Sequence, residues 1–177
     1  MGFSESFVRV QLVRFGGIAR TASLGLTRRG QTGISNVVSA KYRKRVSFED
    51  ECARGLACTT VVPKQIKHDG IALYLHGGGY CSGDLAYAKC FASMLADKLG
   101  VRVFTYEYRL APESKFPAAL DDTVAAYLRL SELGYRASDI VLCGESAGGG
   151  LCYALCLRLL ELGHELPAGI VAVSTCI

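Results

Sequence analysis

The sequence predicts an α/β fold, a mostly parallel sheet with helices on both faces. From Leu56 onward, short apolar runs alternate with segments of helical periodicity ten or more residues long. That alternation is the pattern of parallel strands joined by helical crossovers. The breaks between runs fall at Pro63, Gly100, Pro117, Gly134 and Gly163, residues that stop or start regular structure. At 177 residues, half hydrophobic and a fifth charged, the chain is long and apolar enough to bury the core of one such domain.

In order along the chain, residues 1–55 read as helix, loop and helix, an N-terminal cap-like region broken by Gly16-Gly17, Gly30 and Gly33. Residues 56–177 read as the core. "LACTTVV" (56–62) is a strand ended by Pro63, and "IALYLH" (71–76) is a second that runs into three glycines. Residues 85–100 have helical periodicity with a glycine stop. "VRVFTYEY" (101–108) has the β-branched and aromatic content of a strand. A helix over 117–134 follows, then a strand over 139–144, a helix over 146–163 and a last strand over 168–175.

Composition narrows the function classes. No apolar run reaches the ~18 residues of a membrane span. The eight cysteines include no C-x-x-C pair, and several lie inside apolar runs, so they read as buried hydrophobes in a reducing, cytoplasmic setting without metal or disulfides. The net charge of +4 is uneven: residues 1–67 carry 12 Lys/Arg and 4 Asp/Glu, and residues 68–177 carry 8 and 12. Its densest point, "KYRKR" at 41–45, lacks aromatic interleaving and reads as a solvated face with no nucleic-acid partner. At the N-terminus, Arg9 and Arg14 interrupt any signal-peptide core. The Arg-rich start also fits a mitochondrial presequence, and "MGFSES" the loose myristoylation pattern. The default is an amphipathic helix carrying Val8, Leu12 and Phe15, with no stable membrane insertion.

Two loops carry the chemistry. Gly144-Glu145-Ser146-Ala147-Gly148 lies between a predicted strand and a predicted helix, where a tight turn lifts a serine Oγ above the sheet at a helix N-terminus. The turn demands small flanking residues, hence Gly144 and Gly148. A phosphate loop of the Walker type would need Gly-Lys-Ser/Thr, which does not follow. His76-Gly77-Gly78-Gly79 ends an earlier strand, and glycines there let backbone N–H groups face an oxyanion.

Three motifs in order, "YLHGGGYCSGD" (74–84), "YEYRLAPESKFPAALDD" (106–122) and "GESAGG" (144–149), resemble the hormone-sensitive-lipase group of α/β-hydrolase esterases. The resemblance covers residues 56–175 and implies an α/β-hydrolase-type core, truncated at its C-terminus. It implies a serine carboxylesterase for short- to medium-chain esters, without cofactor. Ser146 would attack the ester carbonyl. Two of the Gly77, Gly78 and Gly79 N–H groups, with that of Ala147, would hold the oxyanion, each worth ~3 kcal/mol. Glu145 and His76 would be structural, and the middle motif would brace the active-site loop. The partner would be a small ester; a homodimer is compatible with the resemblance. The alternative is a non-catalytic binding protein on the same scaffold, resembling the gibberellin receptor.

The family supplies its acid and histidine after the serine. Here only Glu161, His164 and Glu165 follow Ser146 as candidates. A helix rise of ~1.5 Å per residue puts His164 ~25 Å away. His68 lies in a turn at the wrong end of the sheet, and His76 is assigned to the glycine loop. The expectation is the nucleophile and oxyanion half of an active site, in the N-terminal part of a longer esterase and weak or inactive alone.

Overall fold

A computed structural model describes residues 23–175. The helix expected over Val8, Leu12 and Phe15 lies outside them. The first described element is α1, Leu24–Ser39, capped by the Ser23 hydroxyl accepting from the Leu26 N–H. The strands are β1 (Val46–Ala53), β2 (Leu56–Pro63), β3 (Ile71–Leu75), β4 (Arg102–Tyr106), β5 (Ile140–Glu145) and β6 (Gly169–Val173). Between them lie helices α2 (Leu85–Leu99), α3 (Ala118–Glu132) and α4 (Ala147–Glu161). From Leu56 onward each predicted element is present within one or two residues of its expected bounds.

Before Leu56 two expectations fail: α1 runs unbroken through Gly30 and Gly33, and β1 stands where a helix was expected. Residues 46–53 are a strand, not the helix expected at the end of the cap-like segment. β1 pairs antiparallel with β2, and the pairing of Ala53 with Leu56 leaves a two-residue loop, Arg54-Gly55. Both loop residues have positive φ, 54° and 83°, the geometry that matches strand twist in a hairpin and that glycine adopts readily. The division expected between residues 55 and 56 falls in this turn. Sequence periodicity missed β1 because it is an edge strand with Ser47-Phe48-Glu49-Asp50 all solvent-exposed.

The six strands form one sheet in the order β1-β2-β4-β3-β5-β6. β4, β3, β5 and β6 are mutually parallel, while β2 runs antiparallel to β1 and β4, so the sheet is mixed at one side and parallel elsewhere. Period-2 alternation splits the core. Ala72 and Tyr74 face α2 through Ala88, Ala92 and Ala96. Leu73, Leu75, Phe104 and Leu142 face α3 and α4 through Leu130, Leu155 and Leu159. Helices therefore cover both faces, and α1 packs on α2.

β3 lies at the centre, with β4 on one side and β5 on the other. The crossovers reverse direction there, which opens a crevice beyond the C-terminal ends of β3 and β5. The glycine loop leaves β3 at that crevice, and the Ser146 turn leaves β5.

Candidate active site

Ser146 sits between the end of β5 and the start of α4 with φ 53° and ψ −119°. A non-glycine residue holds such a conformation only when its surroundings impose it. Here the Ser146 N–H donates to the Val173 carbonyl of β6 at 2.9 Å, and α4 begins one residue later. The turn is pressed onto its neighbours. A Cβ on Gly148 would stand 2.0 Å from the Leu75 carbonyl oxygen and 2.7 Å from that of His76. One on Gly144 would stand 2.4 Å from the Gly148 carbonyl oxygen. These contacts are the physical reason for glycine at both positions, and they place the first turn of α4 directly on the end of β3. Ala147, fully buried, opens α4, so its N–H has no acceptor within the helix.

The loop after β3 is fixed by Glu145. Its Oε1 accepts a short hydrogen bond from the Gly77 N–H, and the hydroxyls of Tyr74 and Tyr87 donate to it at 3.2 Å each. The sequence assigned Glu145 a structural role, and it is the bridge between the two motif loops. Burial raises its carboxyl above the usual range, with the Gly77, Tyr74 and Tyr87 hydrogen bonds opposing. Burial, with the Glu145 charge adding to it, also pushes both phenols well above their ordinary value, so they remain donors. The Gly77 N–H is taken by Glu145, which narrows the three expected glycine donors to Gly78 and Gly79. Among the described residues, the loop's hydrogen bonds leave the Gly78 and Gly79 N–H groups unused. Gly78 takes φ 115°, and its carbonyl accepts from the Ser82 N–H at 3.0 Å, closing the loop.

His76 is fully buried. Its ring stacks on Tyr108 with centroids 4.0 Å apart and meets Tyr87 edge-on at 6.0 Å. Nδ1 lies 2.7 Å from the Gly77 carbonyl, and Nε2 has no partner among the described residues. That arrangement fits a neutral ring with Nδ1–H donating. Burial pushes its pKa down to about 4, against smaller opposing effects of the Gly77 hydrogen bond and of Asp84. His76 is therefore a strut of the loop and not a base. His164 lies beyond the end of α4, and His68 lies in the exposed turn that precedes β3. His76 thus bonds within its own loop, while His164 stands beyond the far end of α4 and His68 before the N-terminal end of β3, opposite the end that carries Ser146.

The middle motif, which spacing alone left without a catalytic logic, is a brace. The Tyr108 hydroxyl donates to the His76 carbonyl at 2.8 Å. Arg109 grips Asp122, the fifth residue of α3, through its backbone N–H, Nε and Nη2, at 2.7–3.0 Å. The Tyr106 hydroxyl reaches Thr123 Oγ1 at 2.7 Å. Sequence reasoning missed Tyr74, Tyr87 and Tyr108 because a tyrosine in an apolar run reads as core. It also missed Arg28, which donates from α1 to the Cys81 and Ala111 carbonyls at 2.8 and 2.9 Å and pairs with Glu113. Thr32 on α1 donates to Asp84, whose Oδ1 caps α2 at the Tyr87 N–H.

An apolar cavity of about 320 Å³ flanks the site, lined by Tyr80 next to Gly79, Ala111, Phe116, Leu120, Leu151 and Ala154. A larger groove of about 780 Å³ lies among Arg28, Arg54 and Arg109, and it is lined by charged residues.

A family model described as "alpha/beta hydrolase fold" matches residues 72–176. The chain belongs to the α/β-hydrolase family. Within it the similarity is to hormone-sensitive-lipase-like members. The chain is 42% identical over 118 residues to a protein named acetyl-hydrolase from Streptomyces hygroscopicus, covering 66% of this chain and 40% of that one. It is 36% identical over 106 residues to mouse hormone-sensitive lipase, covering 58% of this chain and 14% of that one. A solved structure described as an esterase from the bacterial hormone-sensitive lipase family superposes with a TM-score of 0.84 at 35% identity, covering 100% of this chain and 59% of that one. The chain spans less than half the length of the first curated relatives it matches, 40–48%. The described residues contain no group of His, Cys, Asp and Glu arranged for a metal ion, and no helix long and apolar enough to cross a membrane.

Proposed function

We propose that this hydrolase is the nucleophile and oxyanion half of a serine carboxylesterase acting on short- to medium-chain esters. The single observation that carries the reading is Ser146, held at positive φ on the strand–helix turn and packed against the glycine loop. The serine Oγ attacks the ester carbonyl. The tetrahedral oxyanion accepts from the N–H groups of Ala147, Gly78 and Gly79, and Glu145 holds the loop through Gly77. The apolar cavity beside Tyr80 takes the acyl or alcohol chain; its volume is at the small end of ligand sites. Loss of the alcohol leaves an acyl-enzyme on Ser146, which water then releases. Each oxyanion donor contributes about 3 kcal/mol to the transition state.

Proton handling is the missing function. No histidine of this chain is placed to take the Ser146 proton, so we assign that role to an imidazole and a carboxylate outside these residues. The 177-residue chain then acylates slowly. Added imidazole supplies the base and tests the reading. With p-nitrophenyl butyrate and imidazole, intact-mass analysis should show a butyryl adduct on Ser146 that Ser146→Ala abolishes. An adduct confined to cysteines, or none, would overturn the assignment. The unfilled proton-handling role also keeps the binding-protein alternative open: saturable binding of a small ester without any adduct would favour it.

A further inference from the structure

The basic run at 41–45 is one part of a larger surface. The Lys64 N–H donates to the Arg45 carbonyl at 3.0 Å, Arg45 pairs with Asp97 at 3.1 Å, and the Lys67 N–H donates to the Gly100 carbonyl at 2.7 Å. These contacts join three segments, residues 40–45, 64–69 and 97–100, into one face. The segments hold seven Lys/Arg and two Asp, a balance of +5 in a chain whose total is +4. Everything else on the chain therefore sums to −1. Asp97 is taken by Arg45. Lys41, Arg43, Lys44, Lys64, Lys67 and Lys98 are exposed, and no ion pair involves them among the described residues.

Aliphatic side chains stand among these cations. Ile66 is 41% exposed, Leu99 50%, and Val37, on the last turn of α1 before Lys41, 72%. The one aromatic of the run, Tyr42, packs into the core beneath α2 and offers no stacking platform. Exposed aliphatics within a cationic face suit the boundary between lipid headgroups and acyl chains, whereas a nucleic-acid reader would present aromatic or groove-entering elements. The face lies at the N-terminal ends of β3 and β4, the opposite edge of the sheet from the Ser146 turn at the C-terminal end of β5.

We propose that this face docks the protein peripherally on an anionic phospholipid surface. Each cation near such a surface is worth about fivefold in partition. Neutralising three of them, in Lys41→Ala/Arg43→Ala/Lys44→Ala, should therefore weaken binding on the order of 100-fold. The test is flotation of the 177-residue chain with phosphatidylcholine vesicles, with and without roughly a third phosphatidylserine. The protein should float with the anionic vesicles and not with pure phosphatidylcholine. It should be released as NaCl rises from about 0.1 M to about 0.5 M, where screening shortens the range of surface charge. A milder variant, Lys64→Ala/Lys67→Ala, should give an intermediate loss, and circular dichroism checks that both variants fold. Equal partition onto neutral vesicles, no flotation with anionic ones, or tighter binding to single-stranded or duplex nucleic acid at the same salt would overturn the proposal. Each readout is independent of ester turnover, so its failure leaves the Ser146 reading standing.

Discussion

Removing the Glu145 carboxylate is the most informative single perturbation of the site. Three donors converge on its Oε1: the Gly77 N–H and the hydroxyls of Tyr74 and Tyr87. In Glu145→Ala all three lose their acceptor. Tyr74 is 3% exposed, so its hydroxyl cannot turn to water, and one unsatisfied buried donor costs about 1–3 kcal/mol. Tyr87 is half-buried and recovers part of its bonding from solvent, whereas Gly77 is buried and does not. The variant also sheds a carboxylate that burial already disfavours. The balance is a loss of about 2–3 kcal/mol. Glu145→Gln keeps an oxygen at Oε1 for all three donors and removes the buried charge, so it should stay within about 1 kcal/mol of the parent. Urea titration at pH 7, followed by circular dichroism, reads both numbers. The slope against urea should not change, because the surface buried on folding does not. Tyr74→Phe placed on Glu145→Ala should recover part of the loss, since it removes the orphaned hydroxyl. If Glu145→Ala is as stable as the parent, or Gln costs as much as Ala, the bridge does not hold the loop as described.

Other expectations follow from the same packing. His76 has its pKa lowered from 6.5 to about 4 by burial, so the unfolded chain binds the extra proton first as pH falls. This contribution to stability is complete above pH 6.5 and declines towards pH 4, by on the order of 3 kcal/mol; Glu145, shifted upward, offsets part of it. His76→Asn should flatten the pH dependence of the urea midpoint in that window, and an unchanged slope would contradict the assignment. Gly148→Ala drives a methyl into two backbone carbonyls and should cost about 3 kcal/mol or more in thermal or urea unfolding. Gly149→Ala, which presses on the Thr175 side chain and not on backbone carbonyls, should cost less than Gly148→Ala, and equal costs would refute the close helix–strand approach. Ser146→Gly should be more stable than Ser146→Ala by about 1 kcal/mol, because glycine relieves the strained φ and alanine does not.

Most of the fold was legible because each element after Leu56 carries its own punctuation. β3 is five apolar residues before a glycine run, and α2 opens at an Asp84 cap and closes at Gly100 in the left-handed conformation. β1 was not legible: its exposed acidic face hides the period-2 pattern, and only Arg54-Gly55 signals the hairpin. The site divided in the same way. Ser146, Gly144 and Gly148 announce themselves, since a tight turn under close packing admits few residues. That Gly77 serves Glu145 was invisible, because a contact across 68 positions leaves no mark on spacing. The basic face was half legible: "KYRKR" is local, but its union with Lys64, Lys67 and Lys98 depends on how β2 and α2 end.

The account's central claim is that these residues hold a nucleophile and its oxyanion donors, with none of the three histidines serving as its base. Steady-state hydrolysis of p-nitrophenyl butyrate by the purified 177-residue chain, beside Ser146→Ala, tests it most directly. Triad esterases commonly turn over at 1–10³ s⁻¹, and loss of the histidine alone costs roughly 10⁶-fold, so the predicted rate lies below about 10⁻² s⁻¹. A rate above about 1 s⁻¹ that Ser146→Ala abolishes would show that a base for Ser146 exists within this chain, and would contradict the claim.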